Sequence, residues 1–313
     1  MSELRFDGRV AVVTGAGAQG GMGREYALEL ARRGASVLIN DIGISPSGEP
    51  LAAIVASEIQ AAGGTAAFDT GNIGKESDAR GLVRRAIKDF GTLDILINNA
   101  GNARLGDAAA VSTDDFMTVL NVNLMGSFWT MSEAIPHMRE RGYGRIVNTT
   151  SANGAFGSFG NVGYVTAKSA IFGLTRSAAL DNRDFDIKVN AVSPLAMTPL
   201  ARPWFEALDG VDLSVLGAEK IAPPVLYLSH ESCEPSGDVF SAGAGRVARI
   251  FVATAPGYWD SELTPESVAS NLETVLDPSG FIIPGQTMDQ YPLFRITKDG
   301  ADRVTQVKEM VFD

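Results

Sequence analysis

Six short runs rich in β-branched and apolar residues punctuate the chain, and the stretches between most of them have helical spacing. The runs are Arg9 to Thr14, Ala35 to Asn40, Thr65 to Asp69, Asp94 to Asn98, Arg145 to Thr149 and Lys188 to Val192. Arg24 to Arg33 and Leu51 to Ala62 read as the first two intervening helices. A strand that reaches the next strand through a helix comes back in the same direction, so this pattern builds a parallel sheet with helices on both faces. The expected fold is therefore α/β, a doubly wound parallel sheet. A chain of 313 residues, 45% of them hydrophobic, has the apolar material for one large core.

The pattern changes after about Val247. Prolines, Trp259, one loosely amphipathic helix from Pro265 to Leu276 and an irregular tail follow. The expected organisation is a domain over 1–246 that holds cofactor and catalytic residues, with an extension over 247–313 that packs on it or on a neighbouring subunit. No apolar run approaches the roughly 20 residues of a membrane span, and the opening MSELRFDGRV lacks the apolar stretch of a signal peptide. Membrane insertion is not expected, and the expected location is cytoplasmic. The net charge of −11, with Lys and Arg scattered, argues against nucleic acid as a partner. One cysteine, Cys233, and two histidines, His137 and His230, leave little for a disulfide framework, a metal site or a hydrolase triad.

A glycine-rich turn follows the first strand: Thr14-Gly15-Ala16-Gly17-Ala18-Gln19-Gly20-Gly21-Met22-Gly23. Between a strand and a helix, such a turn aims backbone N–H groups at a ligand, and the helix dipole favours a pyrophosphate there. Asp41 ends the second strand about 20 residues further on, where a carboxylate accepts from ribose hydroxyls and repels a 2′-phosphate. That pair points to NAD; the plainer reading of Asp41 is a turn-capping aspartate.

From here the residues resemble the short-chain dehydrogenase/reductase family over about Phe6 to Gly245. The resemblance is carried by Asn98-Asn99-Ala100-Gly101, Asn123-Leu124-Met125-Gly126, Ser151 and Tyr164-Val165-Thr166-Ala167-Lys168, in the family's order and approximate spacing. It implies a Rossmann-like single domain and a small-molecule substrate. It also implies Asp69 near the adenine, Asn99, Ala100 and Gly101 along the cofactor, and Pro194 to Thr198 beside the nicotinamide. Family members are usually homodimers or homotetramers. Within the family the chain is similar to the (3R)-hydroxyacyl-CoA dehydrogenase units of the peroxisomal multifunctional enzymes, the 17-beta-hydroxysteroid dehydrogenase type 4 group. Arg5 to Val10, Val37 to Asp41, Phe156 to Gly160 and Ala222 to Glu234 carry that likeness. It implies a 3-hydroxyacyl-CoA or sterol-like hydroxy substrate.

Three departures stand out. Gly15 and Gly21 enclose five residues where the family usually has three, so the turn must bulge. Leu195 follows Pro194 where Pro-Gly is common. The chain also lacks the hydratase and sterol-carrier units, and Met310-Val311-Phe312-Asp313 is no peroxisomal address, so a free-standing enzyme is expected.

Oxidising a secondary alcohol requires removal of the hydroxyl proton as hydride leaves the same carbon. Tyr164 and Lys168, four apart on a helix, share a face, and a lysine ammonium there would lower the phenol pKa and reach the nicotinamide ribose. Ser151, after a strand, can hold the reacting oxygen, although a strand-end serine can equally cap a turn. By the resemblance Asn123 holds a water that links Lys168 to solvent; read alone, it is a helix-interior hydrogen-bonder. Phe156, Phe159, Trp204 and Phe205 can form an apolar substrate wall, although aromatics are more often core. The leading expectation is an NAD-dependent oxidoreductase with catalytic residues Asn123, Ser151, Tyr164 and Lys168. Gly15, Gly21, Met22, Gly23, Asp41, Asp69, Asn99, Ala100, Gly101, Tyr164, Lys168, Pro194 and Thr198 would bind the cofactor, and no metal is expected. The alternatives are a dehydrogenase for a smaller hydroxy compound and a non-catalytic NAD sensor.

Overall fold

The computed structural model describes residues 3–210 and 212–294. The chain divides into two compact units, Met1–Ile250 and Phe251–Asp313. In the first, β1 (Val10–Thr14), α1 (Met22–Arg32), β2 (Ser36–Asn40), α2 (Leu51–Ala61), β3 (Thr65–Asp69), α3 (Glu76–Phe90) and β4 (Ile95–Asn98) alternate as expected. They are followed by α4 (Thr113–Leu120), α5 (Gly126–Arg141), β5 (Gly144–Thr149), α6 (Ala152–Phe156), α7 (Val162–Asp181) and β6 (Ile187–Leu195). The unit closes with α8 (Arg202–Phe205), α9 (Ala222–Ser229), β7 (Val239–Gly243) and β8 (Arg246–Ile250).

The eight strands lie in the order β3-β2-β1-β4-β5-β6-β7-β8. All neighbouring pairs are parallel except β7 with β8. Successive residues of the central strands serve opposite faces. Ala11, Val13, Val37, Ile39, Ile95, Ile97 and Val147 enter a core with α1, α2 and α9. Val12, Leu38, Leu96, Ile146 and Val189 enter a second core with α3, α5 and α7. Burial on both faces is why these strands read as unbroken apolar runs.

The chain leaves β1 toward β2 and β3, then crosses back to β4 on the other side. That reversal opens a crevice at the carboxyl ends of β1 and β4, the ligand-binding place of such sheets. At the opposite end Arg145, 1% exposed, ties β5 to the segment after α9. Its Nε donates to His230 O, its Nη2 to Glu231 O and its Nη1 to Gly144 O and Asp186 O.

Two details depart from the sequence reading. Strands β7 and β8 were not anticipated, and β8 begins at Arg246, so the 246/247 boundary falls within the strand and the units divide after Ile250. The single helix expected over Pro265 to Leu276 is two, α10 (Pro265–Ser270) and α11 (Leu272–Leu276). Asn271 leaves helical geometry (φ −115°, ψ 22°) and its Nδ2 donates to Ser267 O, the local alternative to helix that asparagine offers. The tail end at Met310 to Asp313 lies outside the described residues. Among the described residues no helix is long and apolar enough to cross a membrane.

Candidate functional site

The floor of the crevice is set by the hydroxyl of Thr14. It accepts from the N–H groups of Asn99 and Ala100, both at 3.0 Å, and so pins the end of β4 beside the end of β1. Asn99 Nδ2 returns donors to Thr14 O at 2.9 Å and Gly15 O at 3.0 Å. A methyl group on Gly15 would lie 2.6 Å from Ala100 Cα, and one on Gly23 3.0 Å from Ala16 Cα, so backbone meets backbone here and only glycine fits. Gly15 also has φ 63°, a second reason for glycine.

The lengthened glycine turn resolves simply. Gly21 N–H donates to Ala18 O at 2.9 Å, and Gly20 takes φ 70°, so Ala18 to Gly21 form a closed turn that absorbs the additional residues. Helix α1 then starts at Met22 with Gly21 as its extended N-cap. The N-cap has no side chain to satisfy the first helical N–H groups, which leaves them available to an anion.

Asp41 stands at the mouth, half-buried. Its Oδ2 accepts from Gly17 N–H at 2.8 Å and its Oδ1 from Gly43 N–H at 2.7 Å. It is thus the turn-capping aspartate of the plainer reading, and each carboxylate oxygen retains a lone pair for a further donor. Its own N–H donates to Asp69 O at 3.1 Å, which links β2 to β3. The Asp69 carboxylate is engaged by Gly71 N–H, Asn40 Nδ2 and Arg85 Nη1.

The other wall is built by α4 to α7. Between α4 and α5 the helix widens into a π-turn over Asn121–Met125, a local feature often found at functional sites. It directs the buried Asn123 amide inward: Nδ2 donates to Asn102 O, Asn102 Oδ1 and Val119 O. Asn123 Oδ1 is buried and has no partner among the described residues. A methyl group on Gly101 would lie 2.8 Å from this Oδ1 and 3.8 Å from Lys168 Nζ, so the two converge on one point.

Ser151 is the N-cap of α6. Its Oγ accepts from Asn153 N–H at 3.2 Å and leaves its proton for the Tyr164 oxygen, a hydrogen bond that favours the phenolate. Helix α6 lies against α7 through Gly154, where a methyl group would lie 2.6 Å from Lys168 C. Two hydroxyls tighten the contact: Thr150 Oγ1 donates to Lys168 O and Ser169 Oγ to Gly154 O, both at 2.6 Å. Lys168, 3% exposed, donates through Nζ to Thr149 O at 2.7 Å, and its Nζ lies 5.5 Å from the centre of the Tyr164 ring.

The expected lowering of the tyrosine pKa does not arise from this arrangement. Burial pushes the Tyr164 phenol up, with the Ser151 hydrogen bond opposing it. Burial pushes Lys168 down to about 7, so near neutral pH a large share of its charge is absent.

The remaining candidates separate. Pro194 and Leu195 extend β6 by pairing with Ala242 and Gly243, and Thr198 opens the turn toward α8, its Oγ1 accepting from Ala201 N–H. Phe205 is core, 5% exposed, whereas Trp204, Phe156 and Phe159 are exposed. His137 accepts from Leu93 N–H, and His230 is held by Ser232 and Arg5 O, so neither joins the crevice. Cys233 is buried, its thiol pushed up to about 11. Sequence reasoning missed Thr14, Asn102 and Gly154, whose value lies in contacts with residues remote in sequence.

The residues present fit a dinucleotide. The glycine cradle would be filled by any Cβ, the N-cap lacks a side chain, and Asn99 Oδ1, Asn123 Oδ1 and Thr149 Oγ1 are buried without partners among the described residues.

Comparison with known proteins agrees. The chain is 40% identical over 259 residues to peroxisomal multifunctional enzyme type 2 of Drosophila melanogaster, across 82% of this chain and 42% of that protein. It is 38% identical to the Mus musculus enzyme of the same name over 300 residues, 92% of this chain and 39% of that one. The chain therefore spans about two fifths of the length of these relatives. The crystal structure of a short chain dehydrogenase from Mycobacterium avium superimposes with a TM-score of 0.75 at 34% identity, covering 88% of this chain and 98% of that one. The family model for short chain dehydrogenases matches residues 9–208. The chain belongs to the short-chain dehydrogenase family, oxidoreductases that act on CH–OH groups.

Proposed function

We propose that this protein is an NAD-dependent dehydrogenase of 3-hydroxyacyl thioesters or similarly bulky secondary alcohols. The observation that carries the reading is the convergence of Ser151, Tyr164, Lys168 and Asn123 on one side of a glycine-cradled crevice. Gly15, Gly21, Met22 and Gly23 would take the pyrophosphate, with Asp41 on the adenosine ribose and Asp69 near the adenine. Asn99, Ala100, Gly101, Pro194 and Thr198 would line the nicotinamide end. When bound, the dinucleotide supplies the acceptor for the hydride.

The chain's own residues do the rest. Ser151 Oγ–H points at the Tyr164 oxygen, so a substrate hydroxyl placed between them is held and oriented. Tyr164 as phenolate takes the hydroxyl proton. Burial works against that phenolate, so the charge must come from Lys168, which gains its proton when an anionic group enters its surroundings. Asn123 Oδ1, near Lys168 Nζ at Gly101, would accept from a water that links Lys168 to solvent and carries the proton outward.

Asp41 favours NAD over NADP, since a 2′-phosphate would face its carboxylate. The substrate class rests on the likeness to the multifunctional enzymes. The enzyme is further taken to be a homodimer or homotetramer, which light scattering measures. Its location is taken as cytoplasmic, although the relatives are peroxisomal by name; cell fractionation decides. The function is tested by following reduced nicotinamide with NAD and a panel of 3-hydroxyacyl-CoA esters, hydroxysteroids and short secondary alcohols. Turnover confined to short alcohols would move the reading to a smaller substrate, and binding of NAD with no turnover on any member would contradict a dehydrogenase.

A further inference from the structure

The segment that joins Ser151 to Tyr164 carries two aromatic side chains that the fold does not use. Phe156, the last residue of α6, is 77% exposed, and Phe159, in the turn that follows, is fully exposed. Gly157 (φ 83°) and Gly160 (φ 62°) bracket Ser158 and Phe159, which gives the turn a shape that L side chains rarely adopt. The turn is tied across the crevice mouth to the β4–α4 connection. Gly106 N–H donates to Gly160 O at 2.8 Å, and Val162 N–H to Gly106 O at 3.3 Å. Leu105, the residue before that tie, is 83% exposed.

Three large apolar side chains are thus exposed on two segments fastened to each other by main-chain hydrogen bonds. Large apolar side chains left in water forgo the free energy of burial, and exposed apolar groups on neighbouring segments mark a binding surface. Position selects the occupant. Ser151 is the N-cap of α6, and a rise of about 1.5 Å per residue places Phe156 about 7.5 Å from it along the helix. An alcohol held at Ser151 and Tyr164 therefore has its adjoining carbon chain within reach of these side chains.

We propose that Phe156, Phe159 and Leu105 grip the apolar chain of an acyl thioester and set the chain length that the enzyme prefers. The proposal rests on the thioester reading above and adds to it the residues that select among thioesters.

The test compares wild type with Phe156→Ala/Phe159→Ala and with Leu105→Ala. Calorimetry measures the Kd of short-chain and long-chain saturated acyl-CoA esters, and kcat/KM is measured for the matching 3-hydroxyacyl-CoA esters. All three side chains are exposed, so the variants should fold; circular dichroism checks this. The expected result is that wild type prefers the long ester and that the double variant loses about tenfold of the long-to-short ratio. Leu105→Ala shifts the ratio the same way by less. A ratio unchanged in the double variant overturns the proposal, as does a wild type without length preference. A double variant that changes only the oligomeric state also overturns it and would make the patch a subunit contact. Calorimetry needs no turnover: if long esters bind through these residues but none is oxidised, the grip is supported and the dehydrogenase reading fails.

Discussion

The two walls of the crevice handle polar groups in opposite ways. On the wall from β1 to β3, every carboxylate is engaged: Asp41 by Gly17 and Gly43, Asp69 by Gly71, Asn40 and Arg85. The carboxylates of that wall are satisfied as they stand, and it offers a shaped cradle with open backbone N–H groups at the start of α1. The wall from β4 to α7 buries Asn123 Oδ1 and Thr149 Oγ1 without partners among the described residues, together with a lysine that burial strips of charge. Buried polar groups left unpaired cost folding energy and concentrate at functional sites. On the proposed function the difference means that one wall binds and the other reacts, so that each should be open to perturbation without the other.

Ser151→Ala should give the largest change, a fall of about 1,000-fold in kcat/KM at nearly unchanged NAD affinity. Steady-state kinetics and NAD titration read the two separately, and a parallel loss of both would erase the distinction between the walls.

Lys168→Met probes the cost carried by the reacting wall. The folded pKa of Lys168, about 7, lies well below the ordinary lysine value of 10.5. Its burial penalty is therefore full below pH 7 and fades as pH rises through 10.5, above which both states are neutral. The variant without cofactor should be about 3 kcal/mol more stable than wild type near pH 7, after the lost hydrogen bond to Thr149, and the gap should close toward pH 10. Denaturant unfolding across pH measures it; a variant less stable at every pH would show that the lysine is not a stored cost.

Changes on the binding wall should be smaller and confined to the cofactor. Asp41→Ala should shift the NAD-to-NADP ratio of kcat/KM by about tenfold toward NADP, and an unchanged ratio would remove Asp41 from the ribose. Gly20→Ala should cost only about 1 kcal/mol of stability, because a Cβ there meets nothing within 4 Å and only the positive φ is strained. A larger loss, read by thermal unfolding, would mean that the inserted turn has partners beyond its own backbone.

The fold was legible wherever strands are buried on both faces. The first six strands could be read to within one residue at nearly every end, because both faces of all but the edge strand β3 demand apolar side chains, although β6 runs on to Leu195. Strands β7 and β8 escaped notice because VFSAG runs out into the small residues Ser241, Ala242 and Gly243, and RVARI carries arginine at the sheet edge. In the site, the local signals at Gly15, Asp41 and the Tyr164–Lys168 pair were visible, while Ser151 and Asn123 owed more to family spacing. The π-turn at Asn121–Met125 was not, since a single widened turn leaves no period in sequence. Nor was the approach of Gly154 to Lys168, a contact between two helices rather than a property of either. The extra residues of the glycine turn looked disruptive in sequence, yet one hydrogen bond from Gly21 to Ala18 contains them.

Tyr164→Phe tests the central claim most directly, with turnover of the best 3-hydroxyacyl-CoA ester and NAD affinity measured on the same preparation. The phenol oxygen is the only atom removed, so turnover should fall by at least about 100-fold while the NAD Kd stays within about twofold of wild type. Turnover that persists in the variant would contradict the assignment of Tyr164 as the acid/base of this enzyme.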